Sequence, residues 1–149
     1  MSILDAIIQI TASFFGTLGF GFLFNIRGKK LVWAAFGGML SWALFLALRL
    51  GFESEPLRYF IVAICSTAYA EALARLMKTP AATFCIITLI PLVPGGAMYY
   101  TTTYALSGNA QLFLPKAAYT LELAVALSLG IVIVTAATKY ILGLKHKEK

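Results

Sequence analysis

Long apolar stretches separated by short polar ones set the pattern of this chain. The apolar runs cover residues 3–24, 31–50, 57–77, 79–106 and 117–142. Between them lie Arg27, Lys29 and Lys30, then Glu53, Glu55 and Pro56, then Lys78, and finally a loop over 107–116. A helix rises about 1.5 Å per residue and a bilayer core is about 30 Å thick, so runs of this length suit membrane-spanning helices. The pattern predicts an all-α, polytopic membrane protein with five transmembrane helices, forming a single domain over residues 1–149. The first run does not read as a secretory signal. No basic residue precedes Arg27, the apolar stretch is too long, and no small-residue cleavage site follows.

The fourth run departs from the others. A continuous helix over 79–106 would rise about 42 Å, well beyond the bilayer core. Its middle reads Pro91-Leu92-Val93-Pro94-Gly95-Gly96. The prolines lack backbone N–H groups, and their rings clash with the carbonyls of Ile87 and Ile90. Gly95 and Gly96 add backbone freedom that lets a helix stop and restart. Unsatisfied backbone groups cost several kcal/mol in lipid, so such a break needs cover from protein or a watery cavity. A proline kink that only shapes packing is the plain reading. Broken helices of this kind are also where many transporters bind substrate. The second half-helix would offer N–H groups at Gly96 and Ala97, and at Gly95 if that residue stays unwound, to a carboxylate. Freed carbonyls of Ile87 and Ile90 would receive an ammonium or hydroxyl, with Tyr99, Thr101 and Thr102 as side-chain donors. Tyr104 reads as a membrane-boundary tyrosine, and Tyr99 and Tyr100 as either that or cavity lining.

Small residues mark close helix packing, and the Gly37/Ser41 and Gly38 ridges read as a seam for assembly with a partner. Ala34, Gly38 and Trp42 follow one four-residue ridge, Gly37 and Ser41 the next, and Ser66, Ala70 and Ala74 a third. Trp33 and Trp42 read as interface or packing aromatics. Pro56 suits the first turn of the third helix, and Pro115 the start of the last. Glu71 and Glu122 fall well inside apolar runs, where acids are expensive unless paired or hydrated. Glu71 stands four residues before Arg75, the favoured order for a helical ion pair. That arrangement suits a structural pair near the membrane surface or a proton relay. Glu122 either snorkels to the surface or faces inward and titrates.

Composition agrees with the pattern. The chain of 149 residues is 60% hydrophobic and 12% charged, with mean hydropathy +0.87, whereas a soluble domain carries about 25% charged residues. The net charge of +6 reads as a topology signal and implies no nucleic acid. With five crossings, Arg27, Lys29, Lys30, Arg75, Lys78, Lys139, Lys145, Lys147 and Lys149 share one side, and Arg49, Arg58 and Lys116 the other. The richer side is cytoplasmic by the positive-inside rule, so the N-terminus is outside and the C-terminus cytoplasmic. A re-entrant fourth run would leave the basic tail outside, against that rule. Cys65 and Cys85 sit in apolar runs without metal spacing. His146, the one histidine, is in the tail, so no Ser/His or Cys/His pair forms within the membrane. No Walker loop is present. The chain reads as no enzyme, with no metal and no cofactor.

An odd number of spans suggests a second unit of opposite orientation. The chain resembles the small, membrane-only subunit of the threonine/serine exporter family. The resemblance rests on Gly19-Phe20-Gly21-Phe22-Leu23-Phe24-Asn25, on Ala74-Arg75 with Pro80, and on the Pro91 to Gly96 core with Tyr99. It implies a bacterial cytoplasmic-membrane protein and a larger partner subunit with further spans and a soluble portion. It also implies proton-driven export of threonine, serine or similar small carboxylate metabolites. The candidate substrate-binding residues are then Pro91, Pro94, Gly95, Gly96, Ala97, Tyr99, Thr101 and Thr102. Glu71 or Glu122 would carry the coupling proton, with Arg75 as the ion-pair partner of Glu71. Export of dicarboxylates such as succinate by the same architecture, and a non-transporting scaffold for the partner, are the alternatives.

Overall fold

The computed structural model describes residues 2–147, with side chains to residue 141. The tail residues Lys145, Lys147 and Lys149, counted above for topology, and His146 therefore lie outside the described side chains. The helices are α1 (Ile3–Leu23), α2 (Lys29–Leu48), α3 (Glu55–Leu76), α4 (Ala81–Leu89), α5 (Gly95–Leu106) and α6 (Ala110–Lys147), with a 3-10 turn at Ile90–Leu92. Four of them, α1, α2, α3 and α6, are each long and apolar enough to cross a membrane. The pair α4 and α5 passes the same test together, bent by 67°.

Local chemistry explains the helix ends. The Ser2 hydroxyl accepts from the Leu4 N–H, and Asp5 bonds back to the Ser2 N–H, which starts α1. α1, α3 and α5 all stop with a left-handed residue: Asn25 at φ 56°, Lys78 at φ 48° and Gly108 at φ 67°. In each case the next N–H reaches back to a last-turn carbonyl: Ile26 to Gly21, Thr79 to Ala74, Asn109 to Tyr104. Pro56 sits in the first turn of α3. Pro115 does not start α6. The Asn109 side chain accepts from the Leu112 N–H at 3.2 Å and begins the helix earlier, leaving Pro115 inside it.

α3 and α6 run parallel. Tyr119 of α6 bonds Glu55 at the start of α3, Gly130 packs on Ala63, and Lys139 borders the same cavity as Glu71. The chain leaves α3 at one end of the bundle and enters α6 at the other. α4 and α5 therefore carry it across the bundle, as a broken span does and a re-entrant loop does not.

The small-residue ridges close helix seams within this chain. A Cβ at Gly38 would collide with Thr17 of α1, and one at Gly37 with Tyr69 of α3 and Thr88 of α4. Hydroxyls tie the same seams, with Ser41 and Ser66 oxygens 2.6 Å apart and Tyr69 donating to the Trp33 carbonyl at 2.8 Å. The core has two clusters. One gathers Ile26, Leu31, Ala70, Leu73, Phe84 and Ile87, and the other Phe45, Tyr59, Val62, Leu89, Leu92 and Leu123. α4 and the turn after it feed both.

Candidate functional site

The break is built by its two prolines in different ways. Before Pro91 the last turn of α4 tightens, so the Ile90 N–H donates to the Ile87 carbonyl and the Val93 N–H to the Ile90 carbonyl, at 3.1 Å. Those two carbonyls thus each have a backbone donor and are not left free by the prolines. Before Pro94 the chain cannot stay helical, and Val93 is extended at φ −60°, ψ 124°. The Gly95 N–H donates to the Val93 carbonyl at 2.7 Å and the Met98 N–H to the Pro94 carbonyl at 3.0 Å. Pro94 has no side chain that caps α5. The N–H groups of Gly96 and Ala97 are left without an acceptor among the described residues. Neither Gly95 nor Gly96 has a positive φ. What the glycines provide is room, since a Cβ at either meets no atom within 4 Å.

That room is a cavity of about 290 Å³, at the small end of the usual range of about 300–1,000 Å³ for ligand pockets. Pro91 and residues 93–97 form one wall. The opposite wall is Trp42 from α2, Glu55 and Tyr59 from α3, and Lys116, Tyr119 and Leu123 from α6, with Tyr100 at the side. The Tyr119 hydroxyl donates to Glu55 Oε2 at 2.5 Å. Arg58 Nη2 is 3.9 Å from the same oxygen, and its guanidinium is buried over the Phe45 ring at 5.1 Å. Lys116 Nζ lies 4.7 Å from the Tyr119 ring centroid and 5.8 Å from that of Tyr100. It makes no ion pair among the described residues. The cavity therefore offers one fixed carboxylate, one cation and a bare helix N-terminus.

Of the sequence-nominated residues, Pro91, Pro94, Gly95, Gly96 and Ala97 border this cavity. Tyr99 points away and is 67% exposed. Thr101 bonds the Ala97 carbonyl and lies 2.8 Å from the Thr120 hydroxyl, pinning α5 to α6. Thr102 bonds the Met98 carbonyl on the exposed face. Glu71 Oε2 is 3.6 Å from Arg75 Nη2, and Glu71 borders a second cavity, of about 630 Å³, with Thr135 and Lys139. Glu122 is exposed on α6 and borders neither cavity.

The sequence did not nominate Glu55, Lys116 or Tyr119. Glu55 begins α3, just before Pro56, while Lys116 and Tyr119 lie in the second and third turns of α6, just after Pro115. The available signal was that these residues and the second half of the broken span all belong to one end of the bundle.

The sequence model of a family described as "Threonine/Serine exporter, ThrE" matches residues 9–137. The chain belongs to the threonine/serine exporter family. It is a family of transporters, and this member is a multi-pass membrane protein. The match contains the whole break and every residue named for the cavity at the break. No curated protein and no solved structure matches the chain.

Proposed function

We propose that the chain is the membrane subunit of a secondary exporter of threonine and serine, and that the cavity at the break is its substrate site. The observation that carries this is the bare N-terminus of α5 opening into a cavity that also holds Glu55 and Lys116. A zwitterion matches that set. Its carboxylate takes the Gly96 and Ala97 N–H groups and the Lys116 ammonium. Its ammonium takes Glu55, which Tyr119 and Arg58 hold in position. Glu55 opposes a second carboxylate by like charge, so an amino acid fits better than succinate. A scaffold would need the packed ridges but neither the cavity nor its charges.

The larger partner subunit belongs to the same proposal. Glu122, Thr102, Thr103 and Ser128 are exposed on helices of the bundle. An acid facing lipid is costly, and a covering protein surface removes that cost. Glu71 is the better supported proton carrier of the two acids, because it is half-buried and borders a cavity. The orientation proposed is N-terminus outside, in the bacterial cytoplasmic membrane, from the distribution of basic residues. The test is export of labelled threonine, serine and succinate from cells with and without the chain and its partner. Threonine and serine export that depends on the chain is the expected result. Export of succinate alone would overturn the amino-acid reading, and no dependence at all would favour the scaffold.

A further inference from the structure

We propose that Val93 is the gate between two substrate chambers, a role that rests on the reading of the break cavity as the substrate site. The two cavities described above lie toward opposite ends of the bundle. One is bordered by Glu55 at the start of α3 and by Lys116 in the second turn of α6. The other is bordered by Glu71 and Lys139, much further along the same two parallel helices. Their linings have one residue in common, Val93. The two cavities therefore adjoin at Val93, the residue placed to separate them.

The backbone at this point is built as a joint. Leu92 is fully buried in the core and anchors the α4 side. α5 has no buried residue and rests chiefly on α6. Val93, extended and half exposed, is the first residue beyond the anchored turn. The Pro94 ring fixes its own φ, so rotation at this joint falls on φ and ψ of Val93 and on ψ of Pro94. Rotation there swings α5 against α6, and its component about φ of Val93 carries the valine side chain away from the junction of the two cavities. A β-branched side chain suits the task because its χ1 is stiff, so it closes or opens as a unit with the backbone. A small zwitterion then passes from the Glu71 chamber to the Glu55 chamber without a continuous pore.

Two measurements on the full-length chain in cells that also make its partner test this. In the first, Val93→Cys is made in a chain carrying Cys65→Ala and Cys85→Ala. The cysteine is expected to react with a membrane-impermeant maleimide added from either face, in intact cells and in inside-out vesicles, and saturating threonine is expected to slow both reactions. Reaction from one face only, or from neither, would overturn the gate. In the second, Val93→Trp fills the joint. Labelled threonine export is expected to fall to the level of cells without the chain, at unchanged membrane abundance. Wild-type export by Val93→Trp while Gly96→Val is inactive would overturn the gate and leave the site standing. Wild-type export by both variants would overturn the site itself. Should the tryptophan chain not accumulate, the cysteine labelling decides.

Discussion

The two halves of the broken span are opposites. α4 is sunk between α2 and α3, with Phe84, Ile87, Thr88 and Leu89 buried, and α2 presents Gly37 so that Thr88 can approach. α5 has no buried residue, and a hydroxyl pair between Thr101 and Thr120 ties it to α6. The half before the break is fixed by packing. The half after it is held lightly and begins with bare N–H groups at a charged cavity. Fixing one half and leaving the other movable is what a substrate-gated joint requires, since packed cores are bistable and do not deform smoothly. It also separates two kinds of mutational outcome, loss of protein on the α4 side and loss of transport on the α5 side.

Substitutions can break or sharpen that division. The largest effect is expected at Gly37. Gly37→Leu forces a side chain into Tyr69 and Thr88, and overpacking of this kind costs about 1–3 kcal/mol or more. Membrane abundance should fall, and transport per molecule should be unaffected in whatever protein remains. A chain that accumulates normally would mean that α4 is not seated as described. Next comes Lys116→Met, which removes one charge-assisted bond of about 1.5–3 kcal/mol. The apparent affinity for threonine should weaken by roughly 10–100-fold, with abundance unchanged. Affinity at the wild-type level would remove Lys116 from the site. The smallest effect is expected for Thr101→Val, which deletes a hydroxyl pair of about 0.5–1.5 kcal/mol. Hydrogen exchange in α5 should rise while that in α4 does not. Equal change in both halves would erase the contrast.

Much of this division was legible in the sequence and some was not. The spans were, because each apolar run is as long as a bilayer is thick. The break was, because two prolines and two glycines within six residues leave a helix few options. The roles of individual groups were harder. The Ile87 and Ile90 carbonyls looked free, but a 3-10 turn gives both a donor. Gly95 and Gly96 suggested unusual backbone angles, whereas they provide open space. The Gly38 ridge, read from the sequence as a seam for assembly with a partner, closes instead on Thr17 of the same chain. Glu55 and Lys116 were hidden for a different reason. They meet only because α3 and α6 pack in parallel, and periodicity within a helix carries no information about which helices pair.

The central claim is that the Gly96 and Ala97 N–H groups receive the substrate carboxylate. It is tested most directly by export of labelled threonine from cells making Gly96→Val, with Gly19→Val as the control. Neither glycine has an atom within 4 Å of where a Cβ would stand, so neither substitution disturbs packing within this chain. The valine at position 96 fills cavity space in front of the bare N–H groups. The account predicts normal membrane abundance for both variants, with export lost in Gly96→Val and kept in Gly19→Val. Wild-type export by Gly96→Val would contradict it.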